Sequence, residues 1–433
     1  FALSCQPARK NQGKLMYNGL YITATGPMTG KSAIALGAMQ LLSRSMRKVA
    51  FFRPIINEPL WDDRDPDINL MLEYFKINSD YADTFAYTQR EARQIINQGS
   101  RNLLMENIIQ KYKKLLETYD FVLCVGTDFL GKDPVFEFEL NAEIAANLGT
   151  PVILVTSGQK STAEDIRESL QITMDSLAPY SLDVVATIIN RRNLTQTELD
   201  ELRTHFSTED RKALIYSVPN EPTIGQPTMG DVKKGLDAEV LFGEDRLDAL
   251  VDDYLIAAMH VNNVLHYIAK DQLIVTPGDR ADVLLAAIAS RLSSSTPDIA
   301  GVLLTGGIRP AKEVCEFIQG WTASPLPILL TKGHTYNTML ALQELIAPIE
   351  PGNLRKINTV LGLFEQHVNG KDIASRIVSK RSSRITPMMF EFELIERAKA
   401  NKMRIVLAEG TEERILRATD ILLRRGVADI TLL

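Results

Sequence analysis

Cysteine is scarce in this chain. Cys5, Cys124 and Cys315 are the only three among 433 residues. They are too few and too scattered for a disulfide framework, and such scarcity fits a reducing compartment such as the cytoplasm. Histidine is nearly as thin, with five. His260 and His266 share a segment but lie six positions apart, on different faces of a helix, so no metal site is expected. No apolar run approaches the length of a membrane span, so no membrane partner is expected. The net charge of -6 offers no basic surface for nucleic acid. What is present is ordinary for a soluble globular protein: 45% hydrophobic and 24% charged residues. The length suits two to four domains. The start, Phe1-Ala2-Leu3-Ser4-Cys5, puts its basic residues Arg9, Lys10 and Lys14 after a short apolar stretch. That is the wrong order for a signal peptide. Residues 1–17 therefore read as a tail, with Met16 a candidate native start.

The most informative stretch is Thr25-Gly26-Pro27-Met28-Thr29-Gly30-Lys31-Ser32. An apolar run (Leu20, Tyr21, Ile22) leads into it, and a helix with apolar residues at Ile34, Leu36, Met39, Leu41 and Leu42 leaves it. Such a loop turns backbone N–H groups inward at a helix N-terminus, and both features favour a phosphate. Lys31 is placed to reach the outer phosphates and Ser32 to sit on Mg²⁺. The pattern is incomplete, because the expected first glycine is Thr25 and a glycine comes one residue later, at Gly26. Gly26, Thr29, Gly30, Lys31 and Ser32 form the candidate nucleotide or anion site.

The first part of the chain alternates strand and helix. Strands are expected at Gly19–Ala24, Val49–Phe52, Phe121–Val125, Val152–Thr156, Val184–Ile189 and Ala213–Ser217, and helices at Ile34–Arg47, Ala92–Thr118, Pro134–Leu148 and Thr162–Leu177. This order means an α/β fold with a parallel sheet, whose ligands bind at the carboxyl ends of the strands. Other groups are expected at that edge. Arg53 is read at the end of the second strand, suited to a phosphate or carboxylate. Asp62, Asp63, Asp65 and Asp67 are either water-mediated Mg²⁺ partners or a solvated acidic loop. Asp128 is a candidate acid. Asn190 is either a reader of an adenine edge or a turn residue. The loop Pro219-Asn220-Glu221-Pro222 to Pro227-Thr228 either closes over a ligand or ends the domain.

At this point the chain resembles a known family. Residues 18–235 look like the dethiobiotin-synthetase-like P-loop domain. Residues 242–363 resemble the DRTGG module, on Gly278-Asp279-Arg280-Ala281-Asp282-Val283 and Gly301-Val302-Leu303-Leu304-Thr305-Gly306-Gly307. Residues 364–385 read as a linker. From 386 on, Thr386-Pro387-Met388-Met389-Phe390 and Arg404-Ile405-Val406-Leu407-Ala408-Glu409-Gly410-Thr411 resemble the opening of the phosphate acetyl/butyryltransferase domain. The order is that of the long form of phosphate acetyltransferase. The resemblance implies a cytoplasmic acyltransferase that moves acetyl between coenzyme A and inorganic phosphate. Its substrates and products are then acetyl-CoA, CoA, phosphate and acetyl phosphate. It implies no required cofactor, ATP or another nucleotide as an effector, and assembly into a homo-oligomer.

The third segment reads as one βαβ unit: a helix over Phe390–Ala400, a strand over Arg404–Ala408, a helix over Glu412–Arg425 and a strand from Ile430. One such unit cannot bury its own sheet faces. The expectation is a truncated α/β domain, with the catalytic residues beyond Leu433 and an inactive fragment as the outcome. Glu409, Gly410 and Thr411 follow its first strand and are placed at the cleft rim by topology alone.

Beside nucleotide-hydrolysing relatives, Thr25 replaces a glycine, Arg53 stands for lysine before proline, and Val125 stands for a metal-linked glutamate. A domain that binds a nucleotide without turning it over fits this pattern, and so does a vestigial scaffold. In the DRTGG-like module, Gly278-Asp279-Arg280, Thr305-Gly306-Gly307 and Gly333-His334-Thr335 each follow a strand. They form a ligand crevice, a protein surface or simply tight turns. Two other functions stay open: a standalone ATP-dependent ligase like dethiobiotin synthetase, and a regulatory or assembly protein without catalysis.

Overall fold

The structure is a computed structural model that describes residues 17–57, 64–127, 134–209, 211–293, 296–320, 326–345, 347–379 and 387–433. Asp62, Asp63 and Asp128 lie outside the described residues. By contacts the chain divides into two units. The first is made of residues 1–58, 71–220 and 361–433, and the second of 59–70 and 221–360.

In the first unit, short runs rich in Val, Ile and Phe form β1 (Gly19–Ala24), β2 (Val49–Ile56), β3 (Phe85–Thr88), β4 (Phe121–Val125), β5 (Val152–Ser157), β6 (Val184–Asn190) and β7 (Ile215–Val218). They make one sheet in the order β3-β2-β4-β1-β5-β6-β7, and every neighbouring pair is parallel. All residues of β1, β2 and β4 are buried, as covering by helices on both faces requires. Tyr21, Phe52 and Val122 pack with Leu104, Ile108, Tyr112 and Ile144 of the helices Arg101–Thr118 and Pro134–Leu148. Leu154 and Ile189 pack with Ile166 and Leu170 of the helix Ala163–Leu177. The sheet grows from β1 towards β2 and β3 on one side and towards β5 to β7 on the other. That reversal puts the carboxyl end of β1 where open α/β sheets hold ligands.

Three details depart from the sequence reading. The second strand runs on to Ile56, so Arg53 is inside β2 rather than at its end. β3 was not expected. The single helix expected over Ala92–Thr118 is two, Gln89–Asn97 and Arg101–Thr118. Gly99 has φ 73, and Gly99 N–H and Ser100 N–H bond back to the Ile96 and Ile95 carbonyls. A glycine in the left-handed region ends a helix in this way. Thr88 and Glu91 form a capping box at the start of the first of the two.

The second unit has β8 (Glu239–Phe242), β9 (Asp253–Ile256), β10 (Gln272–Pro277), β11 (Gly301–Thr305) and β12 (Ile328–Leu330). The order is β8-β12-β11-β10-β9, parallel except for the antiparallel edge strand β8. Ile274, Val302 and Leu304 pack with Val283 and Leu284 of the helix Ala281–Leu292. Leu273, Val275, Leu303 and Leu329 pack with Met229, Val232 and Leu342. This unit starts earlier than residue 242, because Met229 and Val232 of the helix Met229–Gly235 are wholly buried in its core.

The stretch 364–385, read as a linker, holds the end of the helix Leu354–His367 and the helix Gly370–Ser379. Phe364, Val368, Ile373 and Ile377 are buried, and Arg376 donates to the Val185 carbonyl at 3.2 Å. Residues 364–379 are part of the first unit's packing. The third segment forms the helix Pro387–Ala400, β13 (Met403–Leu407), the helix Glu413–Arg424 and β14 (Ala428–Leu432). Among the described residues the two strands pair only with each other, in parallel. Met403, Ile405 and Val406 are exposed, as the sheet faces of a lone βαβ unit must be.

Candidate functional site

The phosphate loop forms between β1 and the helix Lys31–Ser45. Met28 (φ 52) and Gly30 (φ 77) both take the left-handed conformation, which curls the loop back on itself. Gly30 is required twice. Its φ disfavours any side chain, and a Cβ there would stand 2.2 Å from Asn190 Nδ2. Asn190, the last residue of β6, donates that Nδ2 to the Thr29 carbonyl at 2.8 Å. It therefore braces the loop, and this hydrogen does not face outward for a base edge. Gly26 has open space around its Cβ position and no positive φ, so the fold itself does not demand glycine there.

Thr25 occupies the position of the missing glycine. Its N–H bonds to the Val155 carbonyl at 2.9 Å and its hydroxyl donates to Thr156 Oγ1 at 3.0 Å. The side chain that narrows the loop is thereby tied to β5. Lys31 is 5% exposed, and its ammonium donates to the carbonyls of Gly126 and Thr127, just past β4. Val125 is wholly buried at the end of that strand, so its apolar side chain belongs to the core. Among the described residues of this segment, the groups that meet Lys31 include the backbone carbonyls of Gly126 and Thr127.

Asn141 went unremarked in the sequence, yet it holds this segment in place. It is fully buried on the helix Pro134–Leu148. Its Oδ1 accepts from Tyr21 Oη at 2.9 Å and from Thr127 N–H at 3.0 Å. Its Nδ2 donates to Thr127 Oγ1 and to the Glu137 carbonyl, both at 2.9 Å. A Cβ on Gly126 would meet Asn141 Oδ1 at 2.3 Å, so Gly126 is the residue that lets the amide come so close. The available signal was an amide at a core position of an amphipathic helix. Burial, with the Cys124 and Arg53 groups secondary and opposed, pushes the Tyr21 phenol well above its ordinary range. It stays a neutral donor to Asn141.

Arg53 is buried in mid-strand, and its backbone N–H pairs with the Thr84 carbonyl at 2.8 Å. Asp65 is buried and accepts from the Ile68 N–H at 3.0 Å, capping the helix Pro66–Tyr74. That is a structural role for one member of the acidic run. Among the described residues no group of three or more His, Cys, Asp or Glu could hold a metal ion. No described helix is long and apolar enough to cross a membrane.

Comparison with known proteins follows the same division. Residues 18–228 match the family described as AAA domain, residues 231–345 the DRTGG domain, and residues 389–433 the phosphate acetyl/butaryl transferase family. A phosphate acetyltransferase of Nitratidesulfovibrio vulgaris is 56% identical over 96% of this chain and 60% of its own length. That of Synechocystis sp. is 35% identical over the same shares. Among solved structures, the MinD cell division protein of Aquifex aeolicus is 14% identical, covering 48% of this chain and 84% of its own, with a TM-score of 0.29. The chain spans about 60% of the length of the phosphate acetyltransferases it matches. The resemblance drawn from the motifs is borne out: along 96% of its length this chain is a relative of the phosphate acetyltransferases, with AAA, DRTGG and phosphate acetyl/butaryl transferase regions in that order.

Proposed function

We propose that this chain is the regulatory and assembly portion, with the first strands of the catalytic domain, of an enzyme that transfers acetyl between coenzyme A and inorganic phosphate. The observation that carries this reading is the 56% identity to a phosphate acetyltransferase over 96% of the chain. The substrates are then acetyl-CoA, CoA, phosphate and acetyl phosphate. No further cofactor enters the acetyl transfer, and the working form is a cytoplasmic homo-oligomer. The chemistry needs a carboxylate to take the thiol proton and cations or hydrogen-bond donors for the tetrahedral oxyanion.

A thiol-release assay tests the reading. The chain is joined to the remaining part of the Nitratidesulfovibrio vulgaris relative, and the chimera is compared with the chain alone. The chimera is expected to turn over acetyl-CoA with phosphate and the isolated chain not to. An inactive but folded and assembled chimera would overturn the proposal, as would turnover by the isolated chain at the chimera's rate.

The phosphate loop fits a nucleotide or other anion held as an effector, at Gly26, Thr29, Gly30, Lys31 and Ser32. Support comes from the buried Lys31 ammonium resting on backbone carbonyls, a placement from which it can turn to a phosphate. Val125 leaves the end of β4 without a carboxylate at that position, which argues for binding without turnover.

A further inference from the structure

The second unit carries a polar arrangement that the phosphate-loop reading does not use. It lies at the carboxyl ends of β11 and β12, where the helix Thr335–Gln343 begins. The segments 305–307 and 331–335 run side by side. Gly306 N–H donates to the Gly333 carbonyl at 2.8 Å and Gly307 N–H to the Thr331 carbonyl at 2.9 Å. Thr305 Oγ1 and Thr335 Oγ1 share a hydrogen bond of 2.8 Å.

The helix start is open. His334 is its N-cap and makes no side-chain cap. The first backbone N–H with a partner is that of Thr338, which donates to the His334 carbonyl. The N–H groups of Thr335, Tyr336 and Asn337 donate to no described residue. By contrast, Asp282 sits at the start of the helix Ala281–Leu292 and accepts from Arg280 at 2.9 Å.

An independent observation points to the same spot. Thr338 is 2% exposed, and its hydroxyl has no hydrogen-bond partner among the described residues. Side chains on a helix lean towards its N-terminus, and this one aims at Gly333. A Cβ on Gly333 would stand 2.9 Å from Thr338 Oγ1 and 3.8 Å from Thr331 Oγ1. Gly333 has no positive φ, so φ alone does not demand glycine there. What glycine provides is space against the buried hydroxyl, which a methyl group would take up. A buried hydroxyl without a partner is costly, and three free N–H groups at a helix start attract an anion. One ligand resolves both. Its charge is negative, its acceptors point in several directions, and Lys332, exposed beside Gly307, flanks it.

We infer that the Gly333 turn, between the free N–H groups of residues 335–337 and the Thr338 hydroxyl, binds the phosphoryl group of a small phosphorylated metabolite. A tetrahedral phosphoryl group offers acceptors to the N–H groups and to the hydroxyl at once. This site is separate from the loop at Lys31, and neither needs the other.

The test uses the full chain carrying Lys31→Ala, which silences the loop in the first unit. Calorimetric titration with glycerol 3-phosphate, inorganic phosphate and glycerol separates an ester from the free ion and both from the uncharged alcohol. Saturable one-to-one binding of glycerol 3-phosphate or phosphate, and none of glycerol, is expected. Thr338→Val keeps the shape and removes the hydroxyl. It should weaken binding roughly tenfold while the melting temperature of the unliganded chain holds or rises, because an unpaired buried hydroxyl is gone. Gly333→Ala should abolish binding by pressing a methyl group against the hydroxyl. Absence of saturable phosphate binding up to roughly 10 mM would overturn the inference. So would a Thr338→Val chain that binds as before and melts lower, since the hydroxyl would then be structural.

Discussion

Lys31 and Lys356 are two buried lysines with different surroundings. Lys31 rests on carbonyl oxygens at the end of β4. If the loop holds a phosphate, Lys31→Ala removes a charge-assisted hydrogen bond and weakens ATP or ADP binding by about 1.5–3 kcal/mol. Calorimetric titration of both proteins decides it, and a parent chain that binds neither nucleotide would favour a vestigial scaffold. Lys356 is 2% exposed, and its ammonium has no hydrogen-bond partner among the described residues. Burial pulls its pKa below the ordinary lysine range, against the smaller opposing pull of Asp231 and Glu350. The sign follows from proton counts. Between the folded pKa and the ordinary lysine value the unfolded chain holds the proton and the folded chain does not, so stability rises with pH across that window. Lys356→Met should therefore stabilise the chain at neutral pH by roughly 1 kcal/mol. The advantage should shrink as pH climbs towards the lysine value. Asp231 stays satisfied in the variant, because the Thr228 N–H and hydroxyl both donate to it at 2.7 Å. Denaturant melts at several pH values check this; a constant or growing gap would contradict it.

At the scale of elements, the helices after the second unit matter most. A Cβ on Gly37, in the helix Lys31–Ser45, would stand 2.2 Å from the Phe364 ring. Gly37→Ala gains about 1 kcal/mol in helix propensity and loses about 1–3 kcal/mol by overpacking. The clash should win, giving a net loss of stability. Phe364→Ala in the same chain should turn Gly37→Ala from harmful to neutral or helpful, a coupling that a double-mutant cycle by thermal melting reads directly. Additive effects would mean that the ring moves aside freely. The same elements show the limits of periodicity. The burial of Ile373 and Ile377 repeats at helical spacing, yet these residues sit in a stretch that reads as a linker, because four-residue spacing over so short a run does not say what the face packs against. The helix split at Gly99 was legible from that glycine, since a left-handed residue in an apolar repeat marks an end.

At the scale of the whole molecule, the question is whether the first unit consumes the nucleotide it is proposed to hold. Val125 is core, and it stands where hydrolysing relatives of the resembled domain carry a metal-linked glutamate. ATP incubated with the chain and Mg²⁺ should remain intact over hours, as judged by release of ADP and phosphate. Multiple turnovers abolished by Lys31→Ala would move an ATP-dependent ligase ahead of the acetyl-transfer reading for this domain.

Much of this protein follows from local sequence. The α/β class, the strand cores and the phosphate loop rest on apolar runs, helical spacing and one Gly-Lys-Ser, each encoded within a few residues of itself. The order of three motif regions carries the family, again without any distance in space. Tertiary structure decided what depends on partners far away in the chain. Asn141 reaches Tyr21 across 120 positions, and Asn190 reaches Thr29 across 161. No spacing rule could pair those groups, because they meet only when the parallel sheet brings separate strand ends and helices to one edge. The buried hydroxyl of Thr338 is of the same kind. A threonine in a helix reads as an ordinary residue until folding buries its hydroxyl against a glycine and leaves it without a partner among the described residues.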